Sequence, residues 1–156
     1  MIEIRSHVTG KVIHVNADTL EYVNLDKQDL HRVNLQGAKM RGASFKEADV
    51  RNAELEEADL RAADFTKACL ANALLDKACL TGAILRNTIL SGASFVEACL
   101  DKADLSQAYI LSADFTRASL NGTLMDGATY DEYTLWPDAF EPQKHGAVLR
   151  NEAISE

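Results

Sequence analysis

The chain has 156 residues and a formal net charge of -8 at pH 7, which argues against a nucleic-acid surface built by neutralising phosphates. Hydrophobic residues make up 47% of the sequence but aromatic residues only 6%, so alanine and leucine must fill most of a single core. No apolar run is long enough to span a membrane, and with three cysteines and no leader-like N-terminus we expect a cytoplasmic protein with reduced thiols.

Residues 1–19 predict a β-hairpin that caps the N-terminal end of the chain. Ile2 and Ile4 alternate with polar residues, and a second β-rich run at 12–15 follows a turn at 8–11. Since an isolated hairpin is only marginally stable, we expect it to pack on the apolar end of the segment that follows.

Residues 20–130 carry a five-residue repeat with an apolar residue at the centre of each unit. The centres run from Leu25 to Tyr130 without a break, which gives twenty-two units, and seventeen of these have alanine two places before the centre. On an α-helix these positions would point in all directions, whereas on an extended backbone the alanine and the centre share one face. The chain must then turn after every centre, and this pattern predicts a solenoid.

The second residue after each centre is where the turn requires unusual backbone geometry. Six of the eight glycines occupy this position, and a type II turn needs a positive φ at its third residue. We expect units with other residues there, such as Lys67 and Arg117, to use a different turn geometry.

The units at 58–60 and 63–65, which read ADL and ADF, resemble those of the pentapeptide repeat family in bacteria. The resemblance implies an all-β fold, a right-handed quadrilateral parallel β-helix of about five to six coils that is capped at both ends. Four units would form one coil, so residues twenty apart should stack. Phe45 should therefore lie against Phe65, and Phe95 against Phe115 on the opposite face. Gln28 is the worst fit to the alanine position, and needs a buried partner or a distorted first coil.

Residues 131–156 leave the register and are expected to form a C-terminal cap and tail. The candidate lid over the last coil consists of Tyr133, Leu135, Trp136 and Phe140. The segment 129–137 also resembles the closing segment of many bacterial members of the family, and residues 151–156 are expected to fray.

The sequence offers no catalytic, cofactor or metal site, so we do not expect an enzyme. The histidines share no metal-ligand spacing with a cysteine or an acid; they are His7, His14, His31 and His145. Phosphate-loop, dinucleotide-binding and hydrolase motifs are all missing. The aspartates that recur before the centres are expected to bond to nearby backbone.

The outward position before each centre should be polar, yet several units have an apolar residue there. Cys69, Ile89 and Tyr109 lie twenty apart and would form one vertical stripe, which Leu111 broadens at the neighbouring corner. Such a stripe is either a site of partner binding or self-association, or a set of large side chains that lie flat on the sheet and shield its backbone. The sequence favours neither interpretation.

Cys79 and Cys99 also lie twenty apart, so their Cα atoms should stack at about 4.8 Å. That separation is within the range for a disulfide, but in-register side chains run parallel and make the closing dihedral awkward. We therefore expect two reduced thiols in one column.

Two functions fit the sequence. The first is a non-catalytic scaffold for protein–protein interaction, which binds an unidentified protein partner or a second copy of the chain and contacts neither nucleic acid nor membrane. The alternative is a DNA mimic that inhibits or protects DNA gyrase, because some members of the family, those of the quinolone-resistance type, are associated with this activity; those members tend to carry loop insertions between coils, and none interrupts the register here. A DNA mimic needs a dominant acidic face, yet residues 21–130 carry sixteen acids and twelve bases, interspersed along the chain.

Overall fold

The computed structural model describes residues 1–6, 8–15 and 18–151. His7, Asn16 and Ala17 of the predicted N-terminal cap lie outside the described residues, as do residues 152–156 of the tail that was predicted to fray.

The body of the protein is a right-handed quadrilateral β-helix, the fold class that the sequence predicts. Residues twenty apart pair as parallel bridges, from Asn24 with Ser44 to Tyr109 with Thr129, so four units complete one coil. The bridges are made by backbone hydrogen bonds between coils: the N–H of Leu25 donates to the carbonyl of Ser44 at 2.7 Å. The N–H of Ser44 donates to the carbonyl of Val23 at 2.8 Å.

An antiparallel hairpin precedes the first coil. Its strands are β1 (Ile2–Arg5) and β2 (Val12–Val15), with Ile4 opposite Ile13. Ile4 is buried in the common core, and Ser6 bridges Val33 of the first turns of the helix. The Ser6 hydroxyl also donates to a backbone carbonyl of the same coil at 2.9 Å, which joins the hairpin to the β-helix.

The C-terminal end is closed by short elements that fold back on the last coil. Strand β3 (Thr129–Tyr130) belongs to that coil, and a 3-10 helix (Pro142–His145) leads into strand β4 (Val148–Leu149). Strand β4 returns to pair in parallel with β3, so that one side of the β-helix gains an additional strand.

From Lys27 to Gly127, the second residue after every centre has left-handed backbone, whether or not that residue is glycine. Gly37 has a φ of 67° and Lys67 a φ of 59°, and in both units the next alanine N–H donates to the carbonyl of the preceding centre. The expectation that Lys67 and Arg117 use a different turn is therefore wrong, because both the positive φ and the hydrogen bond across the corner are those of the glycine corners. Inter-coil hydrogen bonds hold the non-glycine residues in a conformation that costs roughly 1–2 kcal/mol for an L-residue.

Aromatic rings form two stacks inside the β-helix, as the twenty-residue register predicts. The ring centroids of Phe45 and Phe65 are 4.5 Å apart, and those of Phe95 and Phe115 are 4.9 Å apart. The second stack continues through the C-terminal segment as a column of five rings. Trp136 lies 5.1 Å from Phe115, and the remaining two rings, Phe140 and His145, follow at 5.3 and 4.6 Å.

One extra residue in the last unit explains why Trp136 joins this column. Leu135 bridges Asp114 at a spacing of twenty-one residues, which moves Trp136 to the centre position. The Thr134 hydroxyl donates to the Ile110 carbonyl at 2.9 Å, as the Thr88 hydroxyl does to a carbonyl one coil below at 3.0 Å. Trp136 thus adds one more ring to the stack in the core. Leu135, which was predicted to form the lid together with Trp136, is largely exposed.

Gln28 occupies the alanine position in the first coil without being fully enclosed. Its side chain is half-buried, and its amide nitrogen lies 3.5 Å from the Asp26 carbonyl oxygen. The first coil therefore accommodates the misfit by leaving this position partly open to solvent.

Candidate functional site

The predicted stripe lies on one side of the β-helix, in the positions that the sequence assigned to it. Cys69 bridges Ile89, and Ile89 bridges Tyr109, so the three side chains form one column. Ile89 is 41% exposed and Tyr109 is 52% exposed, whereas Cys69 and Leu111 are half-buried. The column is therefore accessible over at least two of its coils.

Sequence analysis missed the upper end of the same column. Strand β4 places Val148 above Thr129, which itself bridges Tyr109, and Val148 is exposed. Residues 147–149 read AVL, and Ala147 is buried as the alanine of a repeat unit would be. That three-residue pattern was the available signal, although it lies outside the unbroken register. From Cys69 to Val148 the column rises through four coil steps, or about 19 Å.

The face around the stripe contains no charged residue over three successive coils. The segments 68–73, 88–93 and 108–113 form this face, and we call them the uncharged patch. Neutral polar side chains such as Asn72 and Ser112 are exposed at its far corner, whereas the corner before it has Lys67 and Arg86 beside Asn87 and Gln107. Below the patch the same face is charged, since segments 28–33 and 48–53 contain both acids and bases. The absence of charge is therefore a property of one half of this side.

Five acidic residues elsewhere on the β-helix form ion pairs with bases. Asp49 binds Arg51 through two hydrogen bonds of 2.8 and 2.6 Å, and Asp59 binds Arg61 in the same way. The guanidinium hydrogen bonds hold the pKa of both carboxyls below the ordinary range. Further ion pairs join Asp64 to Lys46, Asp104 to Arg86, and Glu97 to Arg117. Of the six acids clustered at positions 54, 56, 57, 59, 64 and 76, which a DNA mimic would use, Asp59 and Asp64 are thus neutralised locally.

Aspartates outside these ion pairs accept hydrogen bonds at the corners of the coils. Asp101 accepts hydrogen bonds from the Ser119 hydroxyl at 2.5 Å and the Asn121 N–H at 3.0 Å, one coil above. The Ser119 hydrogen bond is the main reason why the pKa of Asp101 is lowered. The aspartates before the centres bond to backbone two residues on, as predicted: Asp114 accepts from the Thr116 N–H at 2.8 Å. Hydrogen bonds to neighbouring hydroxyl and backbone groups therefore account for the positions of these carboxylates.

Within the ranges 1–6, 8–15 and 18–151, no group of three or more histidines, cysteines and acids is arranged to hold a metal ion. In the same ranges no helix is long and apolar enough to cross a membrane. A shallow depression of about 540 Å³ lies at the C-terminal end, where its lining includes Arg117, Leu120, Phe140 and His145. It does not adjoin the stripe.

Comparison with known proteins identifies the repeat. A family model described as pentapeptide repeats matches residues 19–46, 43–82 and 68–107, with eight copies, which is more than half of the chain. The chain belongs to the pentapeptide repeat family. No curated protein matched this pentapeptide repeat protein.

Solved structures similar to this pentapeptide repeat protein include one from a cyanobacterium, one from a plant and a plasmid-mediated resistance protein. A pentapeptide repeat protein of the cyanobacterium Cyanothece 51142 is 28% identical, with a TM-score of 0.59 over 76% of this chain and 87% of that one. One from the Arabidopsis thaliana thylakoid lumen is 27% identical, with a TM-score of 0.58 over 76% and 72%. The plasmid-mediated fluoroquinolone resistance protein QnrB1 is 14% identical, with a TM-score of 0.51 over 84% and 93%, and shows likeness of fold alone.

Proposed function

We propose that this pentapeptide repeat protein is a non-catalytic scaffold that binds a partner protein through the uncharged patch. The observation that supports the proposal is the position of Ile89 and Tyr109, exposed at the centre of three coil segments without charge. Protein interfaces have this composition, with an apolar and often aromatic centre, few charges there and a polar rim. Tyr109 has the amphipathic ring that frequently anchors such contacts.

The chemistry of the patch specifies what kind of partner fits. Its backbone is held by inter-coil hydrogen bonds, such as the Ile89 N–H to Ala68 carbonyl bond of 3.0 Å, so it presents a preformed surface. A complementary partner surface brings apolar side chains to Ile89 and Tyr109, and neutral polar groups to the rim. Within the patch there is no cation for a polyanion, and the corner before it has only Lys67 and Arg86, of which Arg86 pairs with Asp104.

The DNA-mimic alternative receives less support. Mimicry requires carboxylates that remain free to replace phosphates, whereas Asp59 and Asp64 are paired with bases. The likeness to QnrB1 is a likeness of fold at 14% identity. A DNA gyrase supercoiling assay with and without fluoroquinolone would favour this alternative if micromolar protein changed the supercoiling rate.

Site-specific crosslinking in the native host tests the scaffold. A photoreactive phenylalanine analogue replaces Tyr109 in one variant and Leu124 in a matched control, since Leu124 is 53% exposed on another side of the β-helix. We expect an adduct with one protein from position 109 that is absent from position 124. Added wild-type protein should compete for it, and protein with Ile89→Lys and Tyr109→Lys should not.

A Leu124→Lys variant should compete as well as the wild type, because it adds a lysine away from the patch. An adduct between two copies of the chain would identify the partner as a second copy. Equal adducts from positions 109 and 124, or undiminished competition by the double lysine variant, would refute the proposed surface.

A further inference from the structure

Two of the three cysteines are stacked on the side of the β-helix opposite to the uncharged patch. Cys79 and Cys99 are bridge partners in neighbouring coils, and both side chains are half-buried free thiols. The Thr81 hydroxyl oxygen lies 3.2 Å from the sulfur of Cys99 and 3.6 Å from that of Cys79. We propose that this thiol pair is a two-coordinate binding site for a soft monovalent metal ion, with Cu(I) as the representative ion.

Distances favour a bridging ion over a disulfide. In-register parallel side chains keep their sulfurs at about the strand spacing, roughly 4.8 Å. A disulfide needs the sulfurs about 2 Å apart and the two Cβ atoms about 3.8 Å apart. An ion between two thiolates, with bonds of about 2.3 Å as in zinc sites, spans roughly 4.6 Å. The backbone spacing of the β-helix therefore suits a linear sulfur–metal–sulfur arrangement.

The contact with Thr81 shows that the two sulfurs are oriented towards one place. A hydroxyl that lies within hydrogen-bonding reach of both thiols can donate to one sulfur and accept from the other. It thereby holds both side chains on the same side of their column before any ion arrives. Both thiols are half-buried, so a small ion has access while bulky thiol reagents are hindered.

The chemistry selects a soft ion with a low coordination number. Thiolates are the ligands that Cu(I) prefers, whereas structural Zn²⁺ requires four ligands. In the described part of the chain no set of three or more suitable side chains exists here. On binding, each thiol releases its proton to solvent and its sulfur donates a lone pair, so the site changes from neutral to one negative charge without electron transfer.

Cys69 provides an internal control. It occupies the equivalent outward position on the other side, but its bridge partners are Asp49 and Ile89, so no second sulfur is stacked on it. A Cys69→Ser variant should keep the metal site. Cys79→Ser and Cys99→Ser should each abolish it, because a single thiol leaves the ion with one ligand.

The test uses native mass spectrometry of the full chain, with Cu(I) supplied under anaerobic conditions from a Cu(I)-specific chelator in excess. We expect one copper ion per chain in the wild type and in Cys69→Ser, and none in Cys79→Ser or Cys99→Ser. Zn²⁺ in place of Cu(I) should leave all four proteins unloaded. Copper retained by Cys79→Ser or Cys99→Ser, or no copper on the wild type, would overturn the proposal.

A transplanted site gives an independent check. Ile89→Cys, introduced together with Ala71→Thr, Cys79→Ser and Cys99→Ser, stacks a new thiol directly on Cys69 beside a threonine equivalent to Thr81, and should restore one copper ion per chain. If it does not, coil stacking is insufficient to create the site and the geometric argument fails. A loss of two hydrogens from the wild-type mass before copper is added would also contradict it, because the sulfurs would then have closed into a disulfide.

Discussion

Exchanging glycine and alanine between neighbouring coils tests how much the left-handed corners cost. Gly82 and Ala62 occupy the same corner one coil apart, with φ values of 67° and 57°. A Cβ added to Gly82 would have no atom within 4 Å, and Ala62 is exposed, so neither exchange changes packing. Gly82→Ala should therefore report backbone strain with no contribution from contacts.

The magnitude follows from two opposing terms. A left-handed conformation costs an L-residue roughly 1–2 kcal/mol, whereas removing a glycine stabilises the fold by about 0.4–1 kcal/mol through the unfolded chain. Gly82→Ala should then lower the free energy of unfolding by about 0.5–1 kcal/mol, and Ala62→Gly should raise it by a similar amount. For a chain of this size each kcal/mol corresponds to about 2–4 °C in Tm.

Urea unfolding followed by circular dichroism, with calorimetry for Tm, measures both variants. A control, Ala58→Gly, changes a fully buried alanine that is not at a left-handed position, and it should destabilise the protein. The strain argument is refuted if Gly82→Ala is neutral, or if Ala62→Gly destabilises the protein as the control does.

Three further predictions concern the core and the corners. Phe115→Ala, within the five-ring column and next to Trp136, should cost about 3–5 kcal/mol in urea unfolding and alter the fluorescence of Trp136. Thr88→Val should cost about 1 kcal/mol, because its hydroxyl donates to a buried carbonyl, while Thr88→Ala separates that loss from the loss of volume. Asp101→Asn should lower stability at pH 7. Since folding lowers the pKa of Asp101, its contribution is present above the ordinary value near 4 and is lost as pH falls through the lowered pKa. The difference between variant and wild type should therefore close in acid.

The β-helix was predictable because its signal is repeated in every unit. The five-residue period requires one turn per unit, and the resemblance to the family supplies four units per coil. Together they place Phe45 on Phe65, and Cys69 under Ile89 and Tyr109, as the structure has them. Such pairs need no knowledge of side-chain packing, since the backbone register alone decides which residues meet.

Features that depend on a single local exception were not predictable in this way. The extra residue between Tyr130 and Trp136 shifts the register once, and the place of the shift is visible only in the structure, from the bridge of Leu135 with Asp114 and the Thr134 hydrogen bond to Ile110. The left-handed Lys67 was missed because propensity assigns that backbone to glycine, whereas hydrogen bonds between coils enforce it. The uncharged patch required stacking three separate segments before its lack of charge became visible.

Because the bridges are spaced twenty residues apart, changes in chain length can alter this β-helix in two different ways. Inserting or deleting twenty residues within 24–129 would change the height of the β-helix by one coil and leave every side chain on its original side. Inserting or deleting five would instead rotate everything beyond that point by a quarter turn relative to the N-terminal hairpin. A binding surface on such a protein can thus be raised or turned by changes in length alone, without any substitution within the surface itself.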